Sequence, residues 1–187
     1  MSLTILKDNP FVIIDGQVSI EIQNFIEKEL LGFNFPWYYY DKTTHDTLNF
    51  SKFNIEYDES FQFSHVFIDE GNTNSNCKEL ILDKLLMESN INHEIIRAKA
   101  NLKFKCDKGM LHNKPHYDQQ KEHFVGIYYV NDSDGDTILF DEQENILEKI
   151  SPKKGRWLFF KGDVLHSASH PYKSKNRVII NIDFKNE

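Results

Sequence analysis

The second half of the chain is written in alternation. In residues 95–105 (IIRAKANLKFK), Ile96, Ala98, Ala100, Leu102 and Phe104 interleave with Arg97, Lys99, Asn101, Lys103 and Lys105. That is the period of two of a half-buried strand. FVGIYYV, TILF, RWLFF and RVIINIDF follow, separated by turn signals at Asp134-Gly135, Ser151-Pro152, Lys154-Gly155 and Lys161-Gly162. These are short strands at close spacing, with no helical segment long enough to cross over between them. The pattern predicts an antiparallel sandwich or barrel rather than a doubly wound parallel sheet.

The first half reads differently. PFVIIDG is a short strand ending at an Asp-Gly turn. Ser19 is a candidate cap for a helix over residues 20–31, whose Ile22, Phe25, Ile26 and Leu30 keep helical spacing, with Gly32 at its stop. A second helix is expected over residues 77–89, with a stripe that is only partly apolar. Between them lies a polar, aromatic-rich stretch with short strands expected at FPWYYY and FQFSHVFI. The fold class is therefore mainly β with flanking helices (α+β), in a single domain over residues 1–187 whose core spans about 95–184.

Composition narrows the classes. A formal charge of −7 argues against general nucleic-acid binding, which draws most of its affinity from a basic surface. The short basic runs at Lys103, Lys105 and Lys108 and at Lys153, Lys154 and Arg156 read as solvated strand edges and turns. Two cysteines give no secreted disulfide framework. No signal peptide and no uncharged apolar stretch long enough to cross a bilayer is evident, so a cytoplasmic location without membrane contact is expected.

The histidines carry the chemistry. His116-Tyr117-Asp118 sets two metal-ligating side chains two residues apart, on one face of an extended segment. Alone, with eight His in the chain, such a pair is close to chance expectation. His166 follows Asp118 by 48 residues, after a glycine turn, and Arg177 comes eleven residues later. On RVIINIDF, Arg177, Ile179, Asn181 and Asp183 share one face; Val178, Ile180, Ile182 and Phe184 form the apolar other. Two neutral imidazoles and one carboxylate suit ferrous iron and leave coordination positions open. A structural zinc site would close all four, typically with cysteines. The guanidinium of Arg177 offers a planar fork to the far carboxylate of a dicarboxylic co-substrate.

Taken together, PHYD, YYVNDSDGDTILF, PKKGRWLFFKGDVLHSASHP and RVIINIDF resemble the 2-oxoglutarate- and Fe(II)-dependent oxygenases, in the branch of the prolyl 4-hydroxylases. The resemblance covers about residues 95 to 184. It implies a double-stranded β-helix (jelly roll), with His116, Asp118 and His166 as iron ligands and as the catalytic residues. It implies that Arg177 binds the distal carboxylate of 2-oxoglutarate, with Thr137 and Asn181 beside the co-substrate. It also implies O₂ as co-substrate, with ascorbate as a further candidate cofactor, and a hydroxylation that releases succinate and CO₂. Family members often carry a co-substrate tyrosine on the first core strand. Here that strand offers Asn101, Lys103 and Lys105, and Tyr128 on the following strand is a candidate replacement. The substrate, a small molecule or a peptide or protein with prolyl residues foremost, is left open, as is the oligomeric state. A non-catalytic jelly-roll binding module is the alternative.

Other motifs read as structure. His170 before Pro171 belongs to the next turn, and Pro115 disfavours a helical pairing of His112 with His116. Asp132, Asp134 and Asp136 miss the glycine and glutamate positions of a calcium loop, so a hairpin turn is expected. FPWYYY is more readily a sheet surface than a stacking platform. The polar segment 41–64 is a candidate lid.

Overall fold

The computed structural model describes residues 6, 9–43, 55–58, 60–107 and 111–186. The first half of the described chain runs β1 (Phe11–Ile14), α1 (Ile20–Leu30), β2 (Tyr38–Tyr40), β3 (Gln62–Asp69), β4 (Asn72–Thr73) and α2 (Lys84–Glu88). The second runs β5 (Ile95–Phe104), β6 (His123–Tyr129), β7 (Thr137–Phe140), β8 (Ile146–Ile150), β9 (Trp157–Lys161), β10 (His166–Ala168) and β11 (Asn176–Lys185). Every strand pairing is antiparallel. A large sheet has the order β1-β9-β6-β11-β5-β3-β2, with β4 on β3, and a small one has the order β10-β7-β8.

Alternation along β11 divides the interior in two. Val178, Ile180, Ile182 and Phe184 join Ala98, Ala100 and Leu102 of β5 in a core shared with Ile26 and Leu30 of α1 and Leu85 of α2. Ile179 faces the other way, into a core with Ile127, Tyr129, Leu139 and Ile150 that joins the two sheets. The helices therefore cover one face of the large sheet, and the small sheet closes the other. The functional side chains lie between the sheets.

Several expectations are corrected in detail. Ser19 stands at the start of α1 without a side-chain cap bond; its N–H donates to Glu88 Oε1 at 3.1 Å, so the cap is made across elements. Gly32 does end the helix, since a Cβ there would lie 2.8 Å from the Lys28 carbonyl oxygen. The second helix opens as a wide π-helical turn over Lys78–Asp83. There, residues five apart become neighbours, and Lys78 pairs with Asp83 at 2.7 Å.

The basic side chains at 153–156 sit at exposed or half-buried positions, as expected, and are also tied down. Arg156 grips Asp15 with Nε at 2.8 Å and Nη2 at 3.0 Å, and Lys154 pairs with Glu27 of α1. Lys103 is not a surface charge at all, being 3% exposed. Asp134 accepts backbone N–H groups of Tyr172, Lys173 and Ser174, which outweigh burial and lower it to about 2. That loop cross-links the chain. Half of the candidate lid at 41–64, residues 44–54 and 59, lies outside the described residues.

Candidate active site

His116 and His166 meet through their backbones. They form an isolated antiparallel bridge in which His116 N donates to His166 O at 2.9 Å and His166 N to His116 O at 3.1 Å. Directly opposed residues in such a bridge project side chains to the same side, and the two rings have centroids 4.5 Å apart. Asp118, two residues on, adds its carboxylate. His166 Nε2 lies 3.2 Å from Oδ2 and His116 Nε2 lies 3.9 Å from Oδ1. Ligand atoms of the three residues fall within 4.8 Å of one another, the one such cluster among the described residues.

Each imidazole is also fixed from behind. Nδ1 of His116 donates to the Lys114 carbonyl (3.2 Å) and Nδ1 of His166 to the Val164 carbonyl (3.3 Å). A carbonyl only accepts, so Nδ1 of each ring carries a proton, and Nε2 is the nitrogen turned toward Asp118. Burial, and then the neighbouring His166, lower His116 to about 3, which keeps its ring neutral. A donor set of two imidazole nitrogens and a carboxylate suits Fe(II).

Asp118 is held by charge. Burial works against its ionised form, but Arg97 and His166 outweigh it and keep the carboxyl well below the usual range. Arg97, on β5, donates to Asp118 Oδ1 at 2.6 Å and pairs with Asp183 of β11 at 3.0 Å. Asn181 Nδ2 donates to Asp118 Oδ2 at 3.1 Å. Asp183 itself is raised, by burial first and by Asp118 next, and Gln119 donates to its Oδ2 at 2.8 Å.

The far end of the cavity belongs to Arg177. It is 1% exposed, and its Nε donates to the Gly135 carbonyl at 2.7 Å while Nη2 donates to Thr137 Oγ1 at 2.8 Å. Gly135 is required by crowding, since a Cβ there would stand 2.9 Å from the Ser169 carbonyl oxygen and 3.0 Å from Arg177 Cδ. Thr137 Oγ1 accepts a second bond, from the Tyr129 hydroxyl at 2.8 Å, so its own hydrogen is free to donate into the cavity. Among the described residues no carboxylate pairs with Arg177. Ile127 and Ile179 supply the apolar wall between this end and the histidines.

Of the residues singled out in the sequence, His116, His166, Thr137, Arg177 and Asn181 line this one cavity, and Asp118 reaches its histidine end. Tyr128 does not come there. It lies opposite Ile180 in the ladder, on the helix-facing side, and packs against Trp157 at 5.2 Å. Its neighbour Tyr129 has the inward position. Sequence reasoning passed over Arg97 as a functional residue, and named Lys103 only as one of three polar residues that the first core strand offers toward the co-substrate. The available signal was that the polar face of residues 95–105 is the one that runs beside the Arg177 face of RVIINIDF.

A jelly roll with paired imidazoles and a carboxylate at one end of a polar cavity, and a buried guanidinium at the other, defines a class of metal-dependent oxygenase. Residues 104–184 match the model of the 2OG-Fe(II) oxygenase superfamily, whose members use Fe(II), 2-oxoglutarate and O₂.

Solved structures agree in fold. A 2OG-Fe(II) oxygenase family oxidoreductase from Burkholderia pseudomallei aligns with a TM-score of 0.71 at 13% identity, over 96% of this chain and 87% of that one. A Pseudomonas putida prolyl-4-hydroxylase aligns at 0.57 and 13% identity, over 97% and 95%. A Trichoplax adhaerens prolyl hydroxylase, solved with a hypoxia inducible factor peptide fragment, aligns at 0.56 and 16% identity, over 96% and 85%. No curated protein matches the sequence.

Proposed function

We propose that His116, Asp118 and His166 hold Fe(II), that Arg177 and Thr137 receive the distal carboxylate of 2-oxoglutarate, and that the chain hydroxylates an unactivated C–H bond. One observation carries this reading. A buried arginine without a carboxylate partner among the described residues shares a cavity with the His/Asp cluster, and a buried cation of that kind calls for an anionic ligand.

When bound, the iron, 2-oxoglutarate and O₂ together supply the oxidising chemistry, with release of succinate and CO₂. The chain's own residues bind and orient. The Lys114 and Val164 carbonyls hold the histidine tautomers, Arg97 and Asn181 hold the Asp118 carboxylate, and Ile127 and Ile179 limit water between the two ends. A prolyl residue of a peptide is the favoured substrate, supported by likeness in fold to prolyl hydroxylases, one of them solved with a peptide. No helix among the described residues is long and apolar enough to cross a membrane.

Turnover tests the reading. Purified chain with Fe(II), 2-oxoglutarate and O₂ should form succinate slowly alone and faster with a proline-containing peptide that gains one oxygen by mass. Asp118→Ala should abolish both. Iron binding without any succinate would favour the non-catalytic module.

A further inference from the structure

The ladder between β11 and β5 sets Arg177 directly opposite Lys103. Both side chains are buried, at 1% and 3% exposure, and both line the cavity. Like charges opposite one another on a sheet face are destabilising, and burial without a counter-ion raises that cost. Another cation of β5, 21% exposed at its side chain, is treated differently. Arg97 has two carboxylates, Asp118 and Asp183. Among the described residues, Lys103 has none; its ammonium donates to Asn113 Oδ1. Asn113 is oriented for this because its Nδ2 donates to the Asp58 carbonyl (3.1 Å) and Ser60 Oγ (2.5 Å). An ammonium carries three hydrogens, so one is used by Asn113 and the others remain for a ligand.

We propose that Lys103 is a second cationic contact for the far carboxylate of the co-substrate, which makes this end of the cavity a two-cation cradle selective for a dicarboxylic 2-oxo acid. The inference rests on the reading of the site given above. It assigns a residue beyond Arg177, and it gives the first core strand a charged donor rather than a hydroxyl. Burial, with Arg177 beside it, holds Lys103 well below the ordinary lysine value; a carboxylate seated between the two cations acts in the opposite sense.

Anaerobic calorimetric titration of the Fe(II)-loaded chain tests this with two ligands, 2-oxoglutarate and 2-oxopentanoate, which carries a methyl in place of the distal carboxylate. Wild type should prefer 2-oxoglutarate. Lys103→Met should weaken 2-oxoglutarate about tenfold or more, as expected for loss of a charge-assisted hydrogen bond, and leave 2-oxopentanoate nearly unchanged. Lys103→Gln, which keeps a polar head against Asn113, should shrink the preference in the same way and serves if the methionine variant does not fold. Equal weakening of both ligands, or no weakening of either, overturns the role of Lys103 while leaving the site reading intact. A wild-type chain that binds Fe(II) and neither ligand overturns that reading and this inference with it.

Discussion

Arg97 and Asp118 form the charged hinge of the site, their side chains 2.6 Å apart, with the arginine's second contact on Asp183 at 3.0 Å. The pairing ties the Asp118 carboxylate to the large sheet. It also cancels charge that would otherwise be stranded, because Asp118 and Asp183 are each 1% exposed at the side chain.

Arg97→Met should therefore do two things. Removing one partner from a buried pair costs about 3–5 kcal/mol, read as a lower midpoint in urea. Loss of the support behind a ligand should weaken Fe(II) by about 10- to 100-fold, read by anaerobic metal titration of the folded fraction. A variant with lowered stability and wild-type iron affinity would show that Arg97 acts on folding alone.

Gly135→Ala tests the other end. The added methyl would meet the Ser169 carbonyl and Arg177 Cδ at about 3 Å, so the guanidinium must shift from Thr137. The expected result is 2-oxoglutarate affinity reduced by about tenfold, the scale of one charged hydrogen bond, with Fe(II) affinity retained. Unchanged 2-oxoglutarate binding would mean that the position of Arg177 is not critical.

Two adjacent tyrosines should behave in opposite ways. Tyr128→Phe removes a buried hydroxyl that has no hydrogen-bond partner among the described residues, so 2-oxoglutarate affinity should stay the same and stability should hold or rise. Tyr129→Phe removes the donor to Thr137 Oγ1, and should weaken 2-oxoglutarate measurably. Calorimetry of both variants decides it.

That contrast marks how far the sequence could be read. The two faces of RVIINIDF were legible because a period of two separates Arg177 and Asn181 from Val178 and Ile180 in any strand. The histidine pair and Asp118 were legible through residue type and order. Tyr128 against Tyr129 was not, since choosing between neighbours requires knowing which face of β6 looks toward the small sheet, and both faces there are apolar. The burial of Lys103 on β5 was not legible for a related reason. Alternation distinguishes polar from apolar faces, but solvent and a polar cavity leave the same mark. The π-helical opening of the second helix left no periodic signal, being a single turn.

Stability of the metal-free chain should fall on mild acidification. Burial, and then Lys103, lower His170 to about 4 from the usual 6.5, and its Nε2 lies 2.6 Å from Ser60 Oγ. Below pH 6.5 the unfolded chain takes up a proton that the folded chain refuses until about pH 4, so stability is present above the unfolded value and is lost through that window. Denaturant titrations at pH 7.5 and 4.5 should show a smaller loss for His170→Gln than for wild type. Equal losses would assign the acid sensitivity to other groups.

The most direct test of the site is an anaerobic absorbance titration of the chain with Fe(II) followed by 2-oxoglutarate. Simultaneous binding of both at His116, Asp118 and His166 should produce a visible charge-transfer band, and His166→Ala should lose it. A band that persists in His166→Ala, or a wild-type chain that binds both and never develops it, would contradict the assignment.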